Sequence, residues 1–183
     1  MSSVFENPLW ELKEFESLNE AIGAGNGSVQ VSGCMDSQKV HLMYETAKQK
    51  PWRLVVTYDG NRAQEIYDDF RYFEPNTWLY PAKDLLFYSA DIHGNLMVKQ
   101  RLQVIRHLME DQGGVIVTTL DGLMDHLLPL EVLSAQAVTI ENGQELDLEQ
   151  WQKRLVALGY ERMAQVDGMG QFSIRGGIMD IFP

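Results

Sequence analysis

A single cysteine, Cys34, in 183 residues excludes an internal disulfide and fits a reducing compartment. Long apolar runs are missing as well. The longest extend only a few residues, far short of the roughly 20 needed to cross a bilayer as a helix. The N-terminus, MSSVFENPLWELKEF, is acidic where a signal peptide needs a basic and then an apolar region. Both absences lead to the expectation of a cytoplasmic protein. Basic charge is also scarce, with 15 Lys and Arg against 26 Asp and Glu and a net charge of −11. That balance argues against the chain holding nucleic acid by itself, because phosphate binding rests on cations displacing counterions. The four histidines, His41, His93, His107 and His126, have no paired spacing such as HxxxH, so with one cysteine they offer no metal set. Neither a metal nor a cofactor is expected.

What is there is ordinary globular material: 45% hydrophobic and 22% charged residues, enough for one or two cores. Asn7-Pro8 with Leu9, Leu12, Phe15, Leu18 and Ile22 reads as a capped amphipathic helix closed by Gly23 and Gly25. A short strand over 28–32, a glycine-led loop and a helix over 38–48 follow. RLVVTY at 53–58 and GVIVT at 114–118 have the continuous apolar character of strands buried in a parallel sheet. Helices are expected over 61–73, 96–110 and 120–127, with a strand over 77–80. Strands alternating with helices predict an α/β domain, a parallel sheet with helices on both faces, over residues 1–128. From Pro129 the rhythm changes to a strand over 134–141, a helix over 148–158 and a terminal hairpin, predicting a smaller α+β domain over 129–183. With few elements, and ending within a residue of its last strand, that second domain is expected to be truncated and to carry an exposed edge.

GCMDSQKV, Gly33 to Val40, sits between a predicted strand and a predicted helix, the context in which GxxxxGK[ST] cradles nucleotide phosphates. Gly33 and Lys39 are in register, but Gln38 replaces the second glycine and Val40 replaces the hydroxyl that binds magnesium. Asp36 adds negative charge against an anion. The loop is therefore read as degenerate and not expected to bind a nucleotide. Cys34, at a helix N-terminus, has no histidine and acid to match it, so a catalytic thiol is not favoured. The aromatics Tyr72, Phe73, Trp78 and Tyr80 are read as core rather than as base-stacking surface. The acid pairs Asp68-Asp69 and Glu110-Asp111 are read as solvated helix ends. Nothing assembles a nucleophile, a base and an oxyanion site.

The most informative stretch is the last, residues 155–183. Strands are expected over 160–166 and 171–182 around a four-residue loop, Asp167 to Gly170, with Gly176 and Gly177 bending the second strand. Such a hairpin would place Arg162 and Arg175 on one exposed surface, two planar forks suited to carboxylates. The plain alternative is two solvated arginines. Residues 151–183 carry four basic and three acidic residues, net +1, which leaves −12 for residues 1–150. The tail is the favoured place to meet an acidic partner.

The run Gly159-Tyr160-Glu161-Arg162, then Gln165, then Gly170 to Pro183 (GQFSIRGGIMDIFP) resembles the segment shared by UvrB and the transcription-repair coupling factors (Mfd). YPAKD at 80–84 and VIVTTLDGLMDHLLP at 115–129 add to the resemblance, which is to the N-terminal, UvrB-like region of the coupling factors. It implies a P-loop-NTPase-like first domain with a degenerate phosphate loop, followed by the start of the domain that binds UvrA. UvrB itself keeps an intact loop and a tyrosine-rich hairpin, for which residues 70–84 are too short. By this resemblance Arg162 and Arg175 match arginines of the UvrA contact, Phe172 and Ile174 are candidate apolar neighbours, and Ser173 stands where UvrB has a third basic residue. A non-catalytic module that recruits UvrA to stalled RNA polymerase is implied, with the motor, RNA polymerase and DNA engaged by other domains. The rival is the nucleotide-binding half of an ATP-dependent DNA helicase with an unusual loop.

Overall fold

A computed structural model describes residues 8–25, 27–83 and 91–183. Asn7 and Asp84, which the sequence reading used, lie outside the described residues. The chain divides into two compact units, Met1–Leu127 and Leu128–Pro183.

The first unit is built on three parallel strands, β1 (Trp52–Thr57), β2 (Thr77–Tyr80) and β3 (Gly114–Thr119), in the order β1-β3-β2. β3 is central because it can be buried on both faces: Val115, Val117 and Thr118 are wholly inaccessible. Its register runs from Trp52↔Gly114 to Thr57↔Thr119 on one side and from Thr77↔Val115 to Tyr80↔Thr118 on the other. Against one face pack α2 (Asp36–Ala47) and α3 (Gly60–Phe70), whose Val40, Ala63, Ile66 and Phe70 close the core around Val115 and Val117. α3 starts where Asp59 accepts a hydrogen bond from the Arg62 amide, an N-cap that satisfies one otherwise orphaned donor. The opposite face meets α4 (Asp91–Met109), where the His107 ring stacks on Trp78 at 3.7 Å. The expectation of a parallel sheet with helices on both faces is met.

α4 is tied down by one buried cation. Arg101 donates from Nη1 to the Pro81 carbonyl and to Asp125, each at 2.7 Å, and lies 4.3 Å over the Tyr80 ring. Burial in turn pushes the Tyr80 phenol above its ordinary pKa.

Several expectations need correction. Residues 28–32 form no strand: Val29 and Val31 are about half exposed and no neighbour pairs with them among the described residues. The first helix is split into a 3-10 turn, Pro8–Glu11, and α1, Lys13–Gly23. Tyr72, expected in the core, is 88% exposed in the turn after α3, whereas Phe73 packs against the core and Tyr80 is buried. The acid pairs, by contrast, are exposed at helix ends as expected, with Gln64 donating to Asp68, Arg106 to Glu110 and the Trp52 indole to Asp111.

In the second unit the strand expected over 134–141 is absent. The helix expected over 120–127 is the shorter α5 (Leu120–Met124) of the first unit, and the segment 134–141 is the end of α6 (Leu130–Gln136), which starts directly after Pro129, followed by irregular chain. Its β-branched Val138, Thr139 and Ile140 meet no partner strand among the described residues, and strand propensity without pairing does not make a strand. α7 (Leu148–Ala157) is capped by Asp147, which accepts from the Glu149 and Gln150 amides. A second sheet follows, β4 (Glu161–Arg162), β5 (Gln171–Arg175) and β6 (Ile178–Phe182), in sequence order.

The entry to β3 supplies a test of this packing. Gly114 has φ +136°, and a Cβ there would lie 2.4 Å from the Asn76 carbonyl oxygen, a backbone atom that is itself bonded to the Val115 amide. Gly114→Ala is expected to destabilise the first unit by about 2 kcal/mol or more, from strain plus displaced pairing. Urea denaturation followed by far-ultraviolet circular dichroism measures it.

Candidate protein-interaction site

The terminal sheet is set by one glycine turn and by the loop that leads into β5. Gly176 and Gly177 are the two central residues of a tight turn joining β5 to β6, not a bend within one strand as the sequence suggested. Gly176 has φ +60°, the conformation that the first position of a type II′ hairpin turn demands. The antiparallel register is therefore fixed, Arg175↔Ile178, Ser173↔Asp180 and Gln171↔Phe182. The loop before β5 makes the second correction. β4 lies parallel to β5, with Glu161↔Gln171 and Arg162↔Phe172, instead of forming a hairpin through Asp167 to Gly170. The Gln171 side chain holds this loop back on itself, accepting from the Asp167 and Gly168 amides at 3.0 Å each.

Alternation then decides where the arginines fall. Arg162 is level with Phe172, so it belongs with Phe172 and Ile174, whereas Arg175 belongs with Gln171 and Ser173 on the other face. Both are exposed, but on alternate faces and not on one surface as the hairpin reading had it. Arg175 donates from Nη2 to Asp180 at 2.6 Å across β6, with its own side chain 62% exposed. Arg162 stands on the exposed edge strand. Phe172, expected to offer apolar surface, is fully buried, and Ile174 is half-buried. Ser173 is buried too, donating to the Ala164 carbonyl at 3.1 Å. The exposed apolar side chains of this sheet are instead Ile178 and Phe182, which the sequence reading passed over because alternation cannot assign a face before the turn is known.

The stretch Gly33 to Val40 has a different character. Gly33 has φ +85°, Cys34 is half-exposed, and α2 begins at Asp36. Several of the donors there have partners within the protein. The Met35 amide donates to Gln38 Oε1 at 3.2 Å, while Lys39 and Arg62 both reach Asp36, at 3.1 and 3.0 Å. These contacts, the Lys39 hydrogen bond foremost and then Arg62, hold the Asp36 carboxyl below its ordinary pKa. Val40 is 1% exposed and belongs to the core. An open cavity of about 800 Å³ lies at this loop, lined by apolar side chains such as Val29, Val31, Val55 and Val56 and also by Gly33, Cys34, Lys39 and Arg62. No grouping of His, Cys, Asp and Glu suited to a metal ion occurs among the described residues. His41 stacks on Phe73. No described helix is long and apolar enough to cross a membrane.

Residues 138–183, which hold the small sheet and its exposed arginine-bearing hairpin, match the family model of the UvrB interaction domain. Across nearly its whole length the chain is similar to transcription-repair-coupling factors (Mfd). It is 29% identical over 176 residues to that of Staphylococcus aureus (strain USA300), covering 94% of this chain and 15% of the relative. The corresponding factor of Staphylococcus epidermidis (strain ATCC 12228 / FDA PCI 1200) is 27% identical over 186 residues, covering 100% of this chain and 16% of the relative. The chain thus spans about 15% of the length of these curated relatives. Together the matches support a fragment of such a factor.

The hairpin turn can be tested alone. Gly176→Val forces a β-branched residue to φ +60° and is expected to destabilise the second unit by about 1–2 kcal/mol, whereas Gly177→Ala, with φ outside the positive region and open space around it, is expected to cost less. Thermal unfolding of the two variants gives the comparison.

Proposed function

We propose that this chain is a non-catalytic, N-terminal module of a transcription-repair coupling factor and recruits UvrA to stalled RNA polymerase in excision repair. The observation that carries the reading is the exposed Arg175 at the tip of a glycine-turned hairpin, inside the residues that match the UvrB interaction domain. In this reading Arg162 and Arg175 meet carboxylates of UvrA. Residues 129–183 are the start of the UvrA-binding domain, and residues 1–128 are a P-loop-like domain whose loop no longer serves a nucleotide. The internal engagement of Lys39, Arg62 and the Met35 amide, and the burial of Val40, support the last point. RNA polymerase, DNA and the ATP-driven motor belong to other parts of the longer protein.

Titration of purified UvrA with the chain and with its Arg162→Ala/Arg175→Ala variant tests this directly. The wild type is expected to bind, and the variant, folded by circular dichroism, to lose at least about tenfold in affinity, as removal of charged interface anchors commonly does. Equal affinity of the folded variant would remove both arginines from the contact. Isothermal titration with ATP and Mg²⁺ is expected to show no saturable heat at micromolar nucleotide. A stoichiometric binding isotherm there would favour the helicase-half alternative.

A further inference from the structure

We propose that the outer face of the β5–β6 hairpin is an interaction surface in which Ile178 is the apolar anchor beside Arg175, and that it seats against an apolar recess flanked by a carboxylate on the partner. The inference rests on the recruitment reading and names the part of the chain that would make the contact.

The register brings six side chains to this face: Gln171, Ser173 and Arg175 from β5, and Phe182, Asp180 and Ile178 from β6. They are not equivalent. The base of the face is occupied by the protein itself, since Gln171 is turned into the loop at Asp167 and Gly168 and Ser173 is buried against Ala164. The tip and the β6 side are open. Ile178 is 64% exposed, and Phe182, two strand steps along the same face, is 46% exposed. Between them stands Asp180, bonded to Arg175.

Scattered single apolar residues on a surface need no explanation. Two on one face of one strand, with an ion pair between them, form instead the layout of a small interface: an apolar centre with polar groups at its margin. Charge gives the surface its direction. Asp180 takes up one Nη2 contact of Arg175, and no other partner of that guanidinium occurs among the described residues; with the side chain 62% exposed, its remaining N–H groups are open to a carboxylate from outside. Ile178 lies directly opposite Arg175, so a carboxylate bound by the arginine would bring its neighbouring surface onto the isoleucine. On the opposite face Phe172 turns inward, so it gives Arg162 no exposed apolar neighbour of this kind.

Ile178→Thr keeps the β-branch that suits a strand while removing apolar surface. Val156→Gln, at a 56% exposed position on α7, is the control. In titrations against purified UvrA, Ile178→Thr is expected to weaken binding about tenfold, the cost of losing a central apolar anchor, and Val156→Gln to change it less than about twofold. Wild-type affinity retained by a folded Ile178→Thr overturns the inference and leaves the recruitment reading standing. Equal losses in both variants overturn it too, since the effect would then belong to the surface in general. Absence of binding by the folded wild type overturns the recruitment reading and this inference with it.

Discussion

Everything in the first unit depends on β3 exchanging backbone hydrogen bonds on both of its sides. A strand that hydrogen-bonds left and right, and is covered above and below, must be apolar at nearly every position, and GVIVTT meets that demand. Thr118 and Thr119, the buried polar exceptions, have partners: Thr118 donates to the Tyr80 carbonyl at 2.7 Å, and Thr119 Oγ1 accepts from the Gly122 amide at 3.1 Å. α2 and α3 are placed by the same constraint, because Val40 and Phe70 must reach the side chains that β3 presents on their face.

How much of this was visible beforehand follows from how local each cause is. β3 was legible because a doubly buried strand writes a continuous apolar run. β1 carries a similar run but is an edge strand, and the burial expected of RLVVTY fails on one face, where Leu54 and Val56 are 56% and 44% exposed. α3 and α7 overlap the helices expected over 61–73 and 148–158, each led by an aspartate cap. Residues 28–32 and 138–140 failed for the opposite reason. Both have alternation or β-branching, but strands exist only in pairs, and no neighbour within the described residues supplies one. The Arg101–Asp125 link, 24 positions apart in sequence, left no pattern to read.

The terminal site was half legible. Resemblance carried by GQFSIRGGIMDIFP located the segment, and the glycine pair marked a reversal of some kind. Treating that pair as a bend within one strand, however, left the faces unassigned. Once Gly176 and Gly177 form the turn itself, parity sends Phe172 inward, sets Arg162 and Arg175 on alternate faces, and brings Ile178 out beside Arg175. The loop at Gly33 to Val40 illustrates the converse. Val40 looked like a missing metal ligand, and its position in the core gives it a structural role of its own.

In the proposed function the division lies between the hairpin, which meets the partner, and the loop at Gly33 to Val40, where Gln38 and Asp36 hold donors of Met35, Lys39 and Arg62. Hydrogen exchange read by mass spectrometry, on the chain alone and with saturating UvrA, tests that division most directly. Slowed exchange is expected in peptides spanning residues 160–182, with exchange over residues 33–58 unchanged. Protection confined to residues 33–58, with the hairpin unaffected, would contradict the proposed function.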